Sequence, residues 1–177
     1  MRVFTKTLAI ILTLGCLTTA ASVAQAESKV TISGTHLCCG ACVTAVKKAL
    51  ADMPGLTHEA SQGDSKIVLT ASDDATAQKA VDALAAAGFY GKVDSQTVKY
   101  KAIEIPEGKV EKLQVSGIHN CCGSCNRSIK AAIKTVAGVT SDTAQAKSSS
   151  FFVEGNFSAV DLVNALQNSG FRVEVKK

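Results

Sequence analysis

Residues 29–33 (KVTIS) and 112–116 (KLQVS) alternate apolar and polar side chains, the period of a half-buried strand. Each is followed, after a short loop, by apolar positions at helical spacing: Val46, Ala49, Leu50 and Met53 in the first case, Ile129, Ala132, Ile133 and Val136 in the second. Gly55 and Gly138 fall where a helix C-terminus takes a left-handed residue. Two strands come next, over 56–61 and 66–70, matched by 139–145 and 150–154. A second helix begins near Ala75, capped by Asp73 or Asp74, and near Ala159 after Ser158. A last strand follows Gly88-Phe89 in one copy and Gly170-Phe171 in the other.

The order β-α-β-β-α-β therefore occurs twice, which predicts an α+β protein of two tandem ferredoxin-like domains. Each would be a four-stranded antiparallel sheet with two helices on one face. The expected bounds are 27–95 and 110–177, joined by a short, semi-ordered linker over 96–109. In that linker Pro106-Glu107-Gly108 marks a turn, and residues 102–105 alternate enough to pair on a sheet edge.

The first 26 residues stand outside this pattern. Arg2 and Lys6 precede an apolar run, and Ala24-Gln25-Ala26 supplies small residues for cleavage, the layout of a secretory signal peptide. The run is too short and Thr-rich for a membrane span, which needs roughly 20 apolar residues. A lipoprotein leader attached at Cys16 fits the surrounding residues less well. The expectation is a periplasmic or otherwise extracytoplasmic protein with no membrane span once the leader is removed. Without Arg2 and Lys6 the chain carries 17 basic and 15 acidic side chains, so nothing points to a polyanionic partner. The lack of Trp and the few aromatics also argue against base stacking and nucleic acid.

The chemistry is concentrated in one repeated heptapeptide. Residues 36–42 read HLCCGAC and residues 119–125 read HNCCGSC, and together they hold two of the chain's three histidines and six of its seven cysteines. Five of the seven positions are identical between copies, whereas in the following eleven only Lys47 with Lys130 and Ala49 with Ala132 match. Each heptapeptide lies in the loop from first strand to first helix, which puts Cys42 and Cys125 at or near a helix N-terminus. Backbone N–H groups and the positive end of the helix dipole favour a thiolate there. Two sulfurs so placed suit soft ions, Cu(I) above all, and a third sulfur or an imidazole would admit Zn(II).

Each unit resembles the heavy-metal-associated (HMA) domain of copper chaperones, copper-pump N-terminal modules and the periplasmic mercury-binding protein, whose loop reads G-M-x-C-x-x-C. The likeness runs through Cys42-Val43-Thr44-Ala45-Val46-Lys47-Lys48-Ala49-Leu50 and Pro54-Gly55-Leu56, with Gly88-Phe89 and Gly170-Phe171 similar to the family's aromatic loop. The resemblance implies Cys39 with Cys42, and Cys122 with Cys125, as metal ligands. It also implies about one ion per domain: Cu(I), with Zn(II) or Hg(II) as further choices. A metal transporter or metal-acceptor protein would be the partner. Both copies depart from the family in a loop two residues longer, which adds His36 and Cys38 in one and His119 and Cys121 in the other, and opens three- or four-coordinate sites. Because adjacent cysteines rarely converge on one ion, His36 with Cys39 and Cys42, and His119 with Cys122 and Cys125, rank ahead of Cys38 and Cys121.

Two other readings use the same residues. A disulfide between Cys39 and Cys42 would suit an exported chain but would close almost no loop and stabilise little. A thiol–disulfide oxidoreductase would also place C-x-x-C at a helix N-terminus. That fold usually has a Trp before the motif and a cis-proline opposite it, and this chain has no Trp and only Pro54 and Pro106. With no catalytic base, nucleophile dyad or phosphate loop, no enzyme is expected. His58, replaced by Ser141 in the second copy, reads as a solvent-facing strand residue. Lys47, Lys48, Lys130 and Lys134 read as the solvated face of the first helices, and the resemblance to the copper chaperones implies that such positions can help dock an acidic partner.

Overall fold

The computed structural model describes residues 26–177. The leader up to residue 25, and Cys16 with it, lies outside them. Among the described residues no helix is long and apolar enough to cross a membrane. The first half runs β1 (Ser28–Ser33), α1 (Gly40–Ala49), β2 (Leu56–Ala60), β3 (Lys66–Ala71), α2 (Asp74–Ala86) and β4 (Lys92–Val93). The second runs β5 (Lys109–Ser116), α3 (Gly123–Lys134), β6 (Val139–Asp142), β7 (Phe151–Ser158), α4 (Ala159–Asn168) and β8 (Glu174–Lys176). Each half forms one four-stranded antiparallel sheet, in the order β2-β3-β1-β4 and β6-β7-β5-β8. These are the two ferredoxin-like units the alternation of the sequence predicts.

Side-chain periodicity explains why the layers close. In β1, Val30 and Ile32 point inward and their neighbours outward, and Ile67, Leu69 and Ala71 do the same on β3. Cys42, Val46 and Leu50 recur every fourth residue and are all buried, so α1 presents a single apolar face that begins with a cysteine. Ala77, Ala80, Val81 and Leu84 form the stripe of α2, whose alanines allow it close to the sheet. Cys125, Ile129 and Ile133 on α3 repeat the α1 arrangement, and Leu162, Val163 and Leu166 complete α4. Asp73 caps α2 by accepting from the Thr76 N–H at 2.6 Å, and Ser158 caps α4 by accepting from the Asp161 N–H at 3.2 Å.

Four details differ from the sequence reading. The helices stop at Ala49 and Lys134, so Gly55 and Gly138, both at positive φ, belong to the turns entering β2 and β6 rather than to helix ends. His58 is half-buried on β2, where desolvation lowers its pKa, instead of facing solvent. Residues 94–108 form no strand, yet the segment is fastened. The Lys99 N–H donates to Gln78 Oε1 at 3.0 Å, Gln78 Nε2 donates back to the Lys99 carbonyl at 2.9 Å, and Val98 is buried. The face of α3 is not wholly solvated either, since Lys130 pairs with Asp142 on β6.

The halves meet through their C-terminal turns. Phe89 and Phe171 form an antiparallel bridge, the Tyr90 N–H donates to the Gly170 carbonyl at 3.1 Å, and the Arg172 N–H donates to the Gly88 carbonyl at 3.0 Å. Corresponding residues thus contact each other reciprocally, the pattern of a two-fold interface built within one chain. Backbone packs on backbone here: a Cβ on Gly88 would lie 2.2 Å from His119 N, and one on Gly170 would lie 2.3 Å from His36 N.

Candidate metal centre

The turn contacts bring the two heptapeptides face to face. Cys39 and Cys122 occupy the N-cap positions of α1 and α3 in extended conformation, beside the first helical N–H groups, without a side-chain capping hydrogen bond. Cys42 and Cys125 stand in the first turn of each helix and are fully buried, because each opens its helix's apolar face. The loops are anchored by one apolar and one polar side chain in exchanged positions. Thr35 and Leu37 are buried in the first, Ile118 and Asn120 in the second. Asn120 Nδ2 donates to the Gln145 carbonyl at 2.7 Å, and the Asn120 main-chain carbonyl accepts from the Lys147 N–H at 2.7 Å.

The six cysteines among the described residues are free thiols, and their sulfurs gather in one cluster that spans both halves. Within a loop, Cys42 lies 3.8 Å from Cys38 and 3.7 Å from Cys39, and Cys125 lies 3.7 Å from Cys121 and 3.8 Å from Cys122. Between loops the approaches are as short: Cys38 to Cys125 at 3.6 Å, Cys42 to Cys121 and to Cys125 at 3.7 Å, Cys39 to Cys122 at 3.9 Å. Cys38–Cys122 and Cys39–Cys121 are both 4.0 Å. The loops are therefore not two self-contained sites.

The histidines also cross the interface. The His36 ring packs on Phe171 at 4.5 Å between centroids, and His119 on Phe89 at 4.4 Å, so each aromatic turn supports the other half's loop. His36 groups with Cys38 and Cys125, and His119 with Cys42, Cys121 and Cys125, each set having its donor atoms within 4.8 Å of one another. Of the sets expected from sequence, His36 is not brought together with Cys39 and Cys42, whereas His119 does lie with Cys125 of its own loop, without Cys122. Cys38 and Cys121, ranked lower for adjacency, are fully part of the cluster: Cys38, Cys39 and Cys42 lie within 4.8 Å of one another, as do Cys39, Cys121 and Cys122. Nε2 of both histidines is buried without a hydrogen-bond partner.

The thiols differ sharply in acidity. Cys42 and Cys125 are hydrogen-bonded across a 3.7 Å gap. The bond to Cys125 holds the Cys42 thiol far below its ordinary value, and the bond to Cys42, followed by burial, pushes Cys125 far above. Desolvation pushes Cys38 and Cys121 up to about 12 each. Cys122 is lowered to about 6, first by the Cys125 N–H and then, after a smaller opposing cost of burial, by the Ser124 N–H. Burial lowers the His36 pKa, keeping the ring neutral and its nitrogens available. In metal-free reduced protein at pH 7, iodoacetamide should label Cys122 well before Cys121, with the rate for Cys122 rising through a midpoint near 6. Peptide mapping by mass spectrometry reads this out, and equal labelling of the two would contradict it.

The comparisons agree with this site in one half of the chain. Residues 112–172 match the family described as the heavy-metal-associated domain. The first unit has the equivalent strand order and a heptapeptide identical at five of seven positions. None of the curated proteins compared with the chain matches it. Among solved structures, the chain is similar to the N-terminal soluble domains of Bacillus subtilis CopA, at 17% identity over 86% of this chain and 95% of that one, TM-score 0.32. It is also similar to the first two RRM domains of the yeast poly(U)-binding protein Pub1, at 10% identity over 84% and 98%, TM-score 0.25. At these scores neither bears on how the two halves of this chain sit together.

Proposed function

We propose that this protein binds soft metal ions, Cu(I) foremost, through the joined heptapeptides, and either sequesters them or passes them to a transporter or acceptor protein. One observation carries the reading: six free thiols, two of them at helix N-cap positions, each lie 3.6–4.0 Å from at least three others in a loop pair flanked by His36 and His119. Thiolates this close repel unless a cation lies between them, and soft sulfur donors select Cu(I) and other thiophilic ions. Hg(II) and Zn(II) remain chemically admissible, Zn(II) through the Cys42, His119, Cys121 and Cys125 set, whose three sulfurs and one nitrogen suit a tetrahedral ion. Transfer would proceed by thiolate exchange, an incoming cysteine binding the ion before a resident one leaves. We place this activity outside the cytoplasm, with residues 1–26 as a cleaved leader, and assign the chain no enzymatic step.

Reduced protein kept anaerobic should take Cu(I) from a weaker chelator. The Cys39→Ser, Cys42→Ser, Cys122→Ser, Cys125→Ser variant should lose nearly all of that capacity. A variant that kept full capacity would overturn the reading, and so would steady turnover in a disulfide-reductase assay.

A further inference from the structure

The ten sulfur–sulfur approaches of 3.6–4.0 Å have a definite shape. Adding Cys38–Cys39 and Cys121–Cys122, each within 4.8 Å, makes twelve neighbouring pairs among six atoms. The three pairs left over, Cys38 with Cys121, Cys39 with Cys125 and Cys42 with Cys122, use each sulfur once. Twelve edges and three opposite pairs describe an octahedron of sulfur.

From this geometry we infer that the two loops form one tetranuclear Cu(I)–thiolate site, built only when both halves are closed. The inference rests on the metal-binding reading above and names its cargo and nuclearity. An octahedron contains no four mutually adjacent corners, so sulfur alone offers no tetrahedral pocket, only triangular faces. A first-row metal–thiolate bond of about 2.3 Å in trigonal geometry requires sulfurs about 4.0 Å apart, the spacing these faces present. Cu(I) is the soft first-row ion content with three sulfurs. Four alternate faces accommodate it: Cys38-Cys39-Cys42, Cys38-Cys122-Cys125, Cys39-Cys121-Cys122 and Cys42-Cys121-Cys125. Together they use every edge once, and every sulfur bridges two faces.

The stoichiometry balances without redox change. Four Cu(I) and six thiolates make a cluster of net charge −2, copper stays Cu(I), sulfur stays thiolate, and the protons of the thiols go to solvent. The N-termini of α1 and α3, whose N-cap and first-turn cysteines belong to the cluster, favour that residual negative charge. Cys38 and Cys121, which the shorter loop of a single C-x-x-C site lacks, then have a defined structural purpose, since each completes two faces, one spanning both loops for Cys38 and both spanning them for Cys121.

Cu(I) supplied from a competing chelator to the reduced full chain, followed by native mass spectrometry and copper X-ray absorption, tests this. Four ions per chain should load with little population of intermediate species, with copper–copper scattering and sulfur-only trigonal shells. The Cys38→Ser, Cys121→Ser variant keeps both C-x-x-C pairs and should fall to about two ions without copper–copper scattering. Loading that ends at two isolated ions in the parent chain would overturn the cluster and leave metal binding intact. A variant that still shows four ions and copper–copper scattering would overturn it too. No Cu(I) uptake by the parent chain would instead remove the metal-binding reading beneath it.

Discussion

A chain carrying both Gly88→Ala and Gly170→Ala is expected to open between its halves while each half stays folded. The added methyls would lie 2.2 Å from His119 N and 2.3 Å from His36 N, with Gly117 O and Gly34 O at 2.6 Å. These neighbours are backbone atoms inside anchored loops, so rotamer changes cannot relieve the clash. Each alanine must also hold a φ above +80°, a conformation that costs an L residue about 1–2 kcal/mol. Small-angle scattering should show a radius of gyration rising above the roughly 15 Å of a compact body of this length. The amide resonances of His36 and His119 should shift in step. Gly63→Ala supplies the control, since Gly63 has a φ of +89° and no atom within 4 Å of an added Cβ. If the double variant scattered like the parent, the backbone contact would not be what joins the halves.

Phe157→Ala should unfold the second unit at temperatures where the parent is stable. Phe157 is fully buried on β7, opposite Val110 of β5, and is among the largest side chains in the core. Truncating such a ring costs about 3–5 kcal/mol through lost burial and the cavity left behind. A unit of this size has only roughly 4–10 kcal/mol to lose, at about 0.05–0.15 kcal/mol per residue. Phe152, on the outer face of the same strand and 38% exposed beneath Lys112, is the comparison. Phe152→Ala should move a urea midpoint by a small fraction of the Phe157→Ala shift. Similar shifts for both would mean that burial does not set the stability of this sheet.

The units themselves were legible because their signals are local. Alternation in residues 29–33 and 112–116, the every-fourth-residue faces that include Cys42 and Cys125, and caps at Asp73 and Ser158 each act over a few residues. The heptapeptides likewise announced eight candidate ligands. What sequence did not reveal was their grouping. Gly88 and Gly170 look like ordinary glycines after a helix, and nothing periodic links either one to a backbone amide in the opposite loop. The aromatic partners of His36 and His119 are likewise contributed by the other unit, and each histidine also meets a cysteine of the opposite loop, Cys125 for His36 and Cys42 for His119, which within-unit reasoning had no means of assigning. The repeat held one clue: an interface built from reciprocal contacts needs the same residues in both copies, and Gly-Phe is retained in both turns.

The short segment fastened along α2 by Gln78 and Lys99 sets the conditions under which the two loops meet. Two separate single-unit chains would have to find each other by diffusion, and their pairing would weaken as they were diluted. A tether of this kind presents each loop to the other at an effective concentration on the order of millimolar, whatever the concentration of the protein. Pairing of the six sulfurs is then a first-order event, and dilution that would disperse a dimer leaves it unchanged.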